Sequence, residues 1–152
     1  MKITALEEYG LRCMILLAKK GPGESLTLPE LAKQECLSLP YAGKLLMILR
    51  KGKLVSASRG RKGGYLLCKP PDSITIKEIF QALGDGIYAA NHCSKFTGDA
   101  EICVHTDDCN VRNIWKSFDN FFGAFLESIS LSDLASNKVE IFDPNFLELK
   151  RK

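Results

Sequence analysis

Apolar residues at three- and four-residue intervals mark most of this chain as helical. Leu6, Tyr9, Cys13, Leu16 and Leu17 share one face of a first helix, which ends at Lys19-Lys20 ahead of Gly21-Pro22-Gly23. Thr4-Ala5-Leu6-Glu7 has the spacing of a capping box, in which the threonine oxygen accepts from a first-turn amide and the glutamate reaches back. Thr27-Leu28-Pro29-Glu30 repeats that signature and predicts a short helix to about Glu35. Ser38 caps a third helix, with Leu39 and Pro40 in the tolerated first turn and Leu45, Leu46, Ile48 and Leu49 on its buried side. Gly43 inside that helix costs about 1 kcal/mol relative to Ala. Close approach of the backbone to another surface would offset the cost.

The period then changes. Leu54 to Ser58 and Tyr65 to Cys68 are strand-like, and the Gly-rich turn from Arg59 to Gly64 joins them into a hairpin with a cationic tip. Thr75-Ile76-Lys77-Glu78 opens a further helix through Ile79, Phe80 and Leu83, ended by Gly84-Asp85-Gly86. Asn91 to Cys109 shows no periodicity. From about Asn110 to Ile129, Val111, Ile114, Trp115, Phe118, Phe121, Phe122, Phe125, Leu126 and Ile129 form one aromatic-rich stripe. It exceeds what a small domain covers alone and predicts a dimerisation helix. Ser130-Leu131-Ser132-Asp133 starts a short last helix, and the tail from Asp143 carries no pattern. The expected fold is mainly α with a small β-hairpin wing. A winged helix-turn-helix domain spans 1–88, a cysteine-bearing loop 89–109, the dimerisation helix and a short terminal helix 110–137, and a tail 138–152.

Charge sharpens this picture. The chain has 21 Lys and Arg and 18 Asp and Glu in 152 residues, a net charge of only +3. Between Cys36 and Pro71, however, lie eight basic residues and no carboxylate (Lys44, Arg50, Lys51, Lys53, Arg59, Arg61, Lys62, Lys69). That separation suits a polyphosphate backbone, because each phosphate met by a cation releases a condensed counterion. Ser38, Pro40, Tyr41 and Lys44 are expected to face outward at the start of the recognition helix, the part that meets base edges. Arg50 and Lys51 are candidates for phosphate contact; the bland reading is a solvated helix end. Arg59, Arg61 and Lys62 at a narrow hairpin tip suit the minor groove. The expected partner is double-stranded promoter DNA.

No run is apolar enough to cross a bilayer, and the N terminus leads at once into Glu7-Glu8, unlike a signal peptide. A cytoplasmic protein is expected, with its six cysteines as ligands or packing residues rather than disulfides. Cys13 and Cys68 stand in apolar settings and read as core; Cys36 lies at the turn between the second and third helices. Cys93, Cys103 and Cys109 stand in a polar stretch with Asn91, Ser94, Lys95, Thr97, Asp99, Asp107 and Asp108, which disfavours burial. Thiolates there suit an iron–sulfur cluster, zinc or redox chemistry. His92 and His105 are plain surface residues or ligands. There is no Ser/His/Asp or Cys/His arrangement, P-loop or dinucleotide fingerprint, so an enzyme is not expected.

Several of these stretches resemble the Rrf2 family of bacterial winged-helix regulators, and within it the iron–sulfur sensors of IscR and NsrR type. The resemblance rests on the wing Leu54-Val-Ser-Ala-Ser-Arg59-Gly-Arg-Lys-Gly63-Gly64-Tyr65-Leu-Leu, the opening Met1-Lys2-Ile3-Thr4 with Tyr9-Gly10-Leu11-Arg12, and the helix from Ser38-Leu39-Pro40-Tyr41 to Leu49-Arg50-Lys51. It covers roughly Met1 to Asn137. It implies a homodimer on an imperfect palindrome, with Cys93, Cys103 and Cys109 as cluster ligands. Two features depart from the pattern. Nine residues rather than five separate Cys93 from Cys103, and Arg112 stands where IscR-like members place a His. NsrR-like members draw a carboxylate from position eight of the partner's first helix, and Glu8 stands there. That ligand set favours 4Fe–4S over 2Fe–2S. Family members often carry Glu and Gln at 43 and 44, so Gly43 and Lys44 imply a different operator preference. The alternatives are a cluster-free member controlled by an enzyme partner or thiol oxidation, and an iron–sulfur carrier or electron-transfer protein.

Overall fold

Helix starts are set locally, by hydroxyl and carboxylate pairs. In the computed structural model, which describes residues 3–21, 23–58, 60, 63–84, 93–105 and 108–137, four capping boxes form. Thr4 opens α1 (Ala5–Lys20), its amide donating to Glu7 Oε2 at 2.7 Å while its hydroxyl accepts from the Glu7 amide at 3.2 Å. Thr27 with Glu30 opens α2 (Leu28–Gln34) in the same way, and Ser38 caps α3 (Leu39–Lys51). The hairpin pairs β1 (Val55–Ser58) with β2 (Gly64–Leu67) antiparallel, Val55 opposite Leu67 and Ser58 opposite Gly64. A turn of 3-10 helix at Pro71–Ser73 leads to α4 (Ile76–Leu83), capped by Thr75 and Glu78. The Lys69 ammonium at 2.8 Å, with the Thr75 cap, holds the Glu78 carboxyl below its usual range. Its contribution to stability is present at neutral pH and is lost as the pH falls through the carboxylate range. A second 3-10 turn, Cys93–Lys95, precedes α5 (Asn110–Glu127) and α6 (Leu131–Ala135).

One core unites these elements. It holds Cys13, Met14 and Leu17 of α1, Leu31 of α2, Leu45, Leu46 and Leu49 of α3, Val55 of β1, Ile79 and Leu83 of α4 and Leu131 of α6. The segment before α2 joins the wing: Leu26 and Tyr65 exchange backbone hydrogen bonds at 2.9 and 2.7 Å. Gly64 permits that approach, since a Cβ there would lie 2.6 Å from the Leu26 carbonyl oxygen. Gly64→Ala is therefore expected to lower thermal stability by about 2 kcal/mol, because backbone must shift. An unchanged melting temperature would contradict that pairing.

A second junction fixes the long helix. Ile76 N donates to Ile129 O at 3.0 Å and Leu131 N to Ile74 O at 2.8 Å, while Lys77 pairs with Glu127 at 2.9 Å. The C-terminal end of α5 is thus clipped to the start of α4. Farther up, Val111, Ile114, Trp115, Phe118 and Phe121 are exposed on one face. No residue of α5 is fully buried within the chain.

Cys68 departs from expectation: it is exposed. A two-stranded hairpin has only one covered face, and Tyr65 and Leu67 pack on the core while residues 66 and 68 alternate to the other side. Cys13 is fully buried, as expected, and burial with the nearby Glu35 charge pushes its thiol up to about 12. It packs as a core residue.

Candidate nucleic-acid interface and cysteine segment

The turn between α2 and α3 closes by Leu37 N to Ala32 O at 2.8 Å, with Cys36 at φ 53. A left-handed turn residue of this kind ends a helix sharply and redirects the chain into α3. Helix α3 then divides by its 3.6-residue period. Ala42, Leu45, Leu46 and Leu49 are buried, whereas Pro40, Lys44, Met47 and Lys51 form the opposite, exposed stripe with Arg50 beside it. Ser38 is exposed at the cap, its hydroxyl accepting from the Tyr41 amide at 3.4 Å.

Tyr41 does not face outward as expected. It is half-buried, its ring edge-on to Tyr9 with centroids 6.0 Å apart. Arg12 stacks over Tyr9 at 5.5 Å and pairs with Glu35 at 3.1 Å. Position 41 lies toward α1 rather than on the outward stripe, so this residue couples the first helix to the start of the third. Of the basic window, Lys69 is engaged by Glu78, and Lys44, Arg50, Lys51 and Lys53 are exposed. Arg59, Arg61 and Lys62 lie outside the described residues. Met47 was not singled out from the sequence. The 40/44/47/51 spacing is the signal that places it on the outward stripe.

Cys93, Cys103 and Cys109 are all half-buried, and none of the six cysteines is disulfide-bonded. Cys109 is the N-cap of α5, its sulfur accepting from the Arg112 amide at 3.3 Å. The Arg112 guanidinium donates to the His105 carbonyl at 3.5 Å. Three thiols on one irregular stretch are the donor set that iron in a cluster takes. Among the described residues, however, no three Cys, His, Asp or Glu side chains come together to hold a metal ion. His92 and Asp107 lie outside the described residues. In α1, Glu7 is committed to its cap, while Glu8 is exposed and makes no side-chain hydrogen bond or ion pair among the described residues.

The family model described as "Rrf2: Iron-dependent Transcriptional regulator" matches residues 3–137. The chain belongs to the Rrf2 family. It is 30% identical to the HTH-type transcriptional regulator IscR of Escherichia coli strain K12 over 143 residues, 94% of this chain and 85% of that protein. The solved structure of T. potens IscR aligns with TM-score 0.71 at 26% identity, covering 94% of this chain and 92% of that one. The structure of CymR, the global cysteine regulator of B. subtilis, aligns with TM-score 0.69 at 32% identity, covering 90% and 98%. An Rrf2 transcription regulator is thus similar in fold both to IscR and to CymR. No helix among the described residues is long and apolar enough to cross a membrane.

Proposed function

We propose that this Rrf2 protein is a homodimer that grips duplex promoter DNA with α3 and the wing, and that an iron–sulfur cluster sets the strength of the grip. The observation that carries the DNA-binding reading is the exposed, carboxylate-free stripe of α3 in a winged helix. Ser38, Pro40 and Lys44 stand at the groove end of the helix, Tyr41 orients that end through Tyr9, and Arg50 and Lys51 meet phosphates. Arg59, Arg61 and Lys62 on the wing enter the flanking minor groove.

The second copy is the natural occupant of the exposed α5 face. That face is apolar along its length, whereas Asn113, Lys116, Ser117 and Asn120 lie away from it. Two such faces related by a two-fold axis cover each other, and the distance between the paired recognition helices follows. The clip between α5 and α4 passes that distance on to the DNA-binding domain.

For the cluster, the donor chemistry fits. Cys93, Cys103 and Cys109 would hold it, with Glu8 of the partner subunit as fourth ligand, and the carboxylate in this set favours 4Fe–4S over 2Fe–2S. When bound, such a group supplies iron sites that react with nitric oxide and oxygen. Glu8 lies one residue before Tyr9, which touches Tyr41. A change at Glu8 therefore has a short route to the recognition helix. The second reading is a regulator without a cluster, controlled by an enzyme partner or thiol oxidation. The likeness to CymR, at 32% identity over 90% of this chain, favours it.

Binding to promoter fragments as a function of salt tests the DNA-binding reading. Arg59→Ala and Lys51→Ala are each expected to flatten the log–log dependence by about 0.9 per lost phosphate contact. Wild-type protein that ignores duplex DNA at low salt would overturn the reading.

A further inference from the structure

Resting on that DNA-binding reading, we infer that Lys44 and Met47 form a base-reading pair that selects a guanine beside a thymine in each half-site. Met47 is 50% exposed in the middle of a helix in which Ala42, Leu45, Leu46 and Leu49 are buried and Ile48 is half-buried. It stands between Lys44 and Lys51 on the outward stripe, where water alone would favour a polar side chain. In a major groove the same place is apolar, because the thymine C5-methyl lies there. Lys44 is three residues earlier on that stripe and is its first cation. An ammonium there meets the O6 and N7 acceptors of guanine.

The spacing agrees. Three residues of helix advance about 4.5 Å, close to the roughly 3.4 Å between stacked base pairs. The two side chains therefore address neighbouring pairs. Gly43 lies on the flank of the helix beside them, and a Cβ there would meet only the Leu28 side chain at 3.7 Å, an ordinary contact, so the fold itself does not require glycine.

The test begins with selection from a randomised duplex pool by wild-type protein, Lys44→Gln and Met47→Ala. The wild-type motif is expected to contain a guanine–thymine step in each half-site. Lys44→Gln is expected to replace that guanine by adenine, the base a Gln pairs with. In the wild-type duplex, 7-deazaguanine at that guanine is expected to weaken binding roughly tenfold. Uracil at the thymine, which removes one methyl, is expected to weaken it roughly fourfold. Uracil should leave Met47→Ala unaffected, and 7-deazaguanine should leave Lys44→Ala unaffected. Unchanged motifs in both variants, with affinity lowered equally for all sequences, would show phosphate contact and overturn the base-reading pair while the DNA-binding reading stands. Wild-type protein that enriches no duplex would overturn both.

Discussion

Phe118→Asp is expected to turn the protein into a folded monomer. Phe118 is 44% exposed within the chain and sits mid-way along the apolar face of α5, beside Trp115 with ring centroids 5.9 Å apart. A two-fold axis brings each substitution in twice, so two carboxylates would have to leave water in one interface. Truncating a central aromatic typically costs about 2–4 kcal/mol, and burying unpaired charge adds to that. The monomer itself has little to lose there, because no α5 residue is fully buried and Phe118 does not pack on the core, which α5 touches through Leu126. Sedimentation equilibrium with circular dichroism checks this: halved mass with unchanged helicity. Binding to a two-half-site duplex should fall by roughly 10²- to 10⁴-fold, the usual gain from linking two modules. A Phe118→Asp protein that stays dimeric would show that another surface joins the copies.

The second large effect concerns the cysteine segment. Wild-type protein purified without oxygen is expected to be brown and to contain sulfide, and Cys103→Ala to be colourless with its mass and helicity retained. Cys103 is half-buried on a stretch whose described residues contribute nothing to the core, so the truncation should cost little stability. Absorption spectra with iron and sulfide analysis decide it. Full colour in Cys103→Ala would remove this thiol from the ligand set. Colourless wild-type protein holding no iron or sulfide would leave the cluster-free reading.

What the sequence made legible was mainly local. The capping boxes at Thr4, Thr27, Thr75 and Ser130 are short pairs of hydroxyl and carboxylate, and each forms at its written place. The hairpin was legible because period two and a Gly-rich turn coincide. The errors arose where tertiary cover decides. Tyr65-Leu66-Leu67-Cys68 is apolar throughout, and nothing in it says that one face of a lone hairpin stays wet. Tyr41 has the sequence position of a groove residue, but α1 supplies Tyr9 beside it. An apolar helical residue such as Met47 is usually core; only its angular position gives it away. The arrangement of Cys93 and Cys103 was not legible, since neither periodicity nor a cap governs that stretch; Cys109 alone stands at a helix boundary, as the N-cap of α5.

The most direct test is one titration of wild-type protein into a selected duplex at several salt concentrations, with the mass of the complex measured at saturation. Two chains per duplex and an affinity that falls steeply and linearly with the logarithm of salt are the predicted result. One chain per duplex, or no complex even at low salt, would contradict the paired DNA grip on which the account rests.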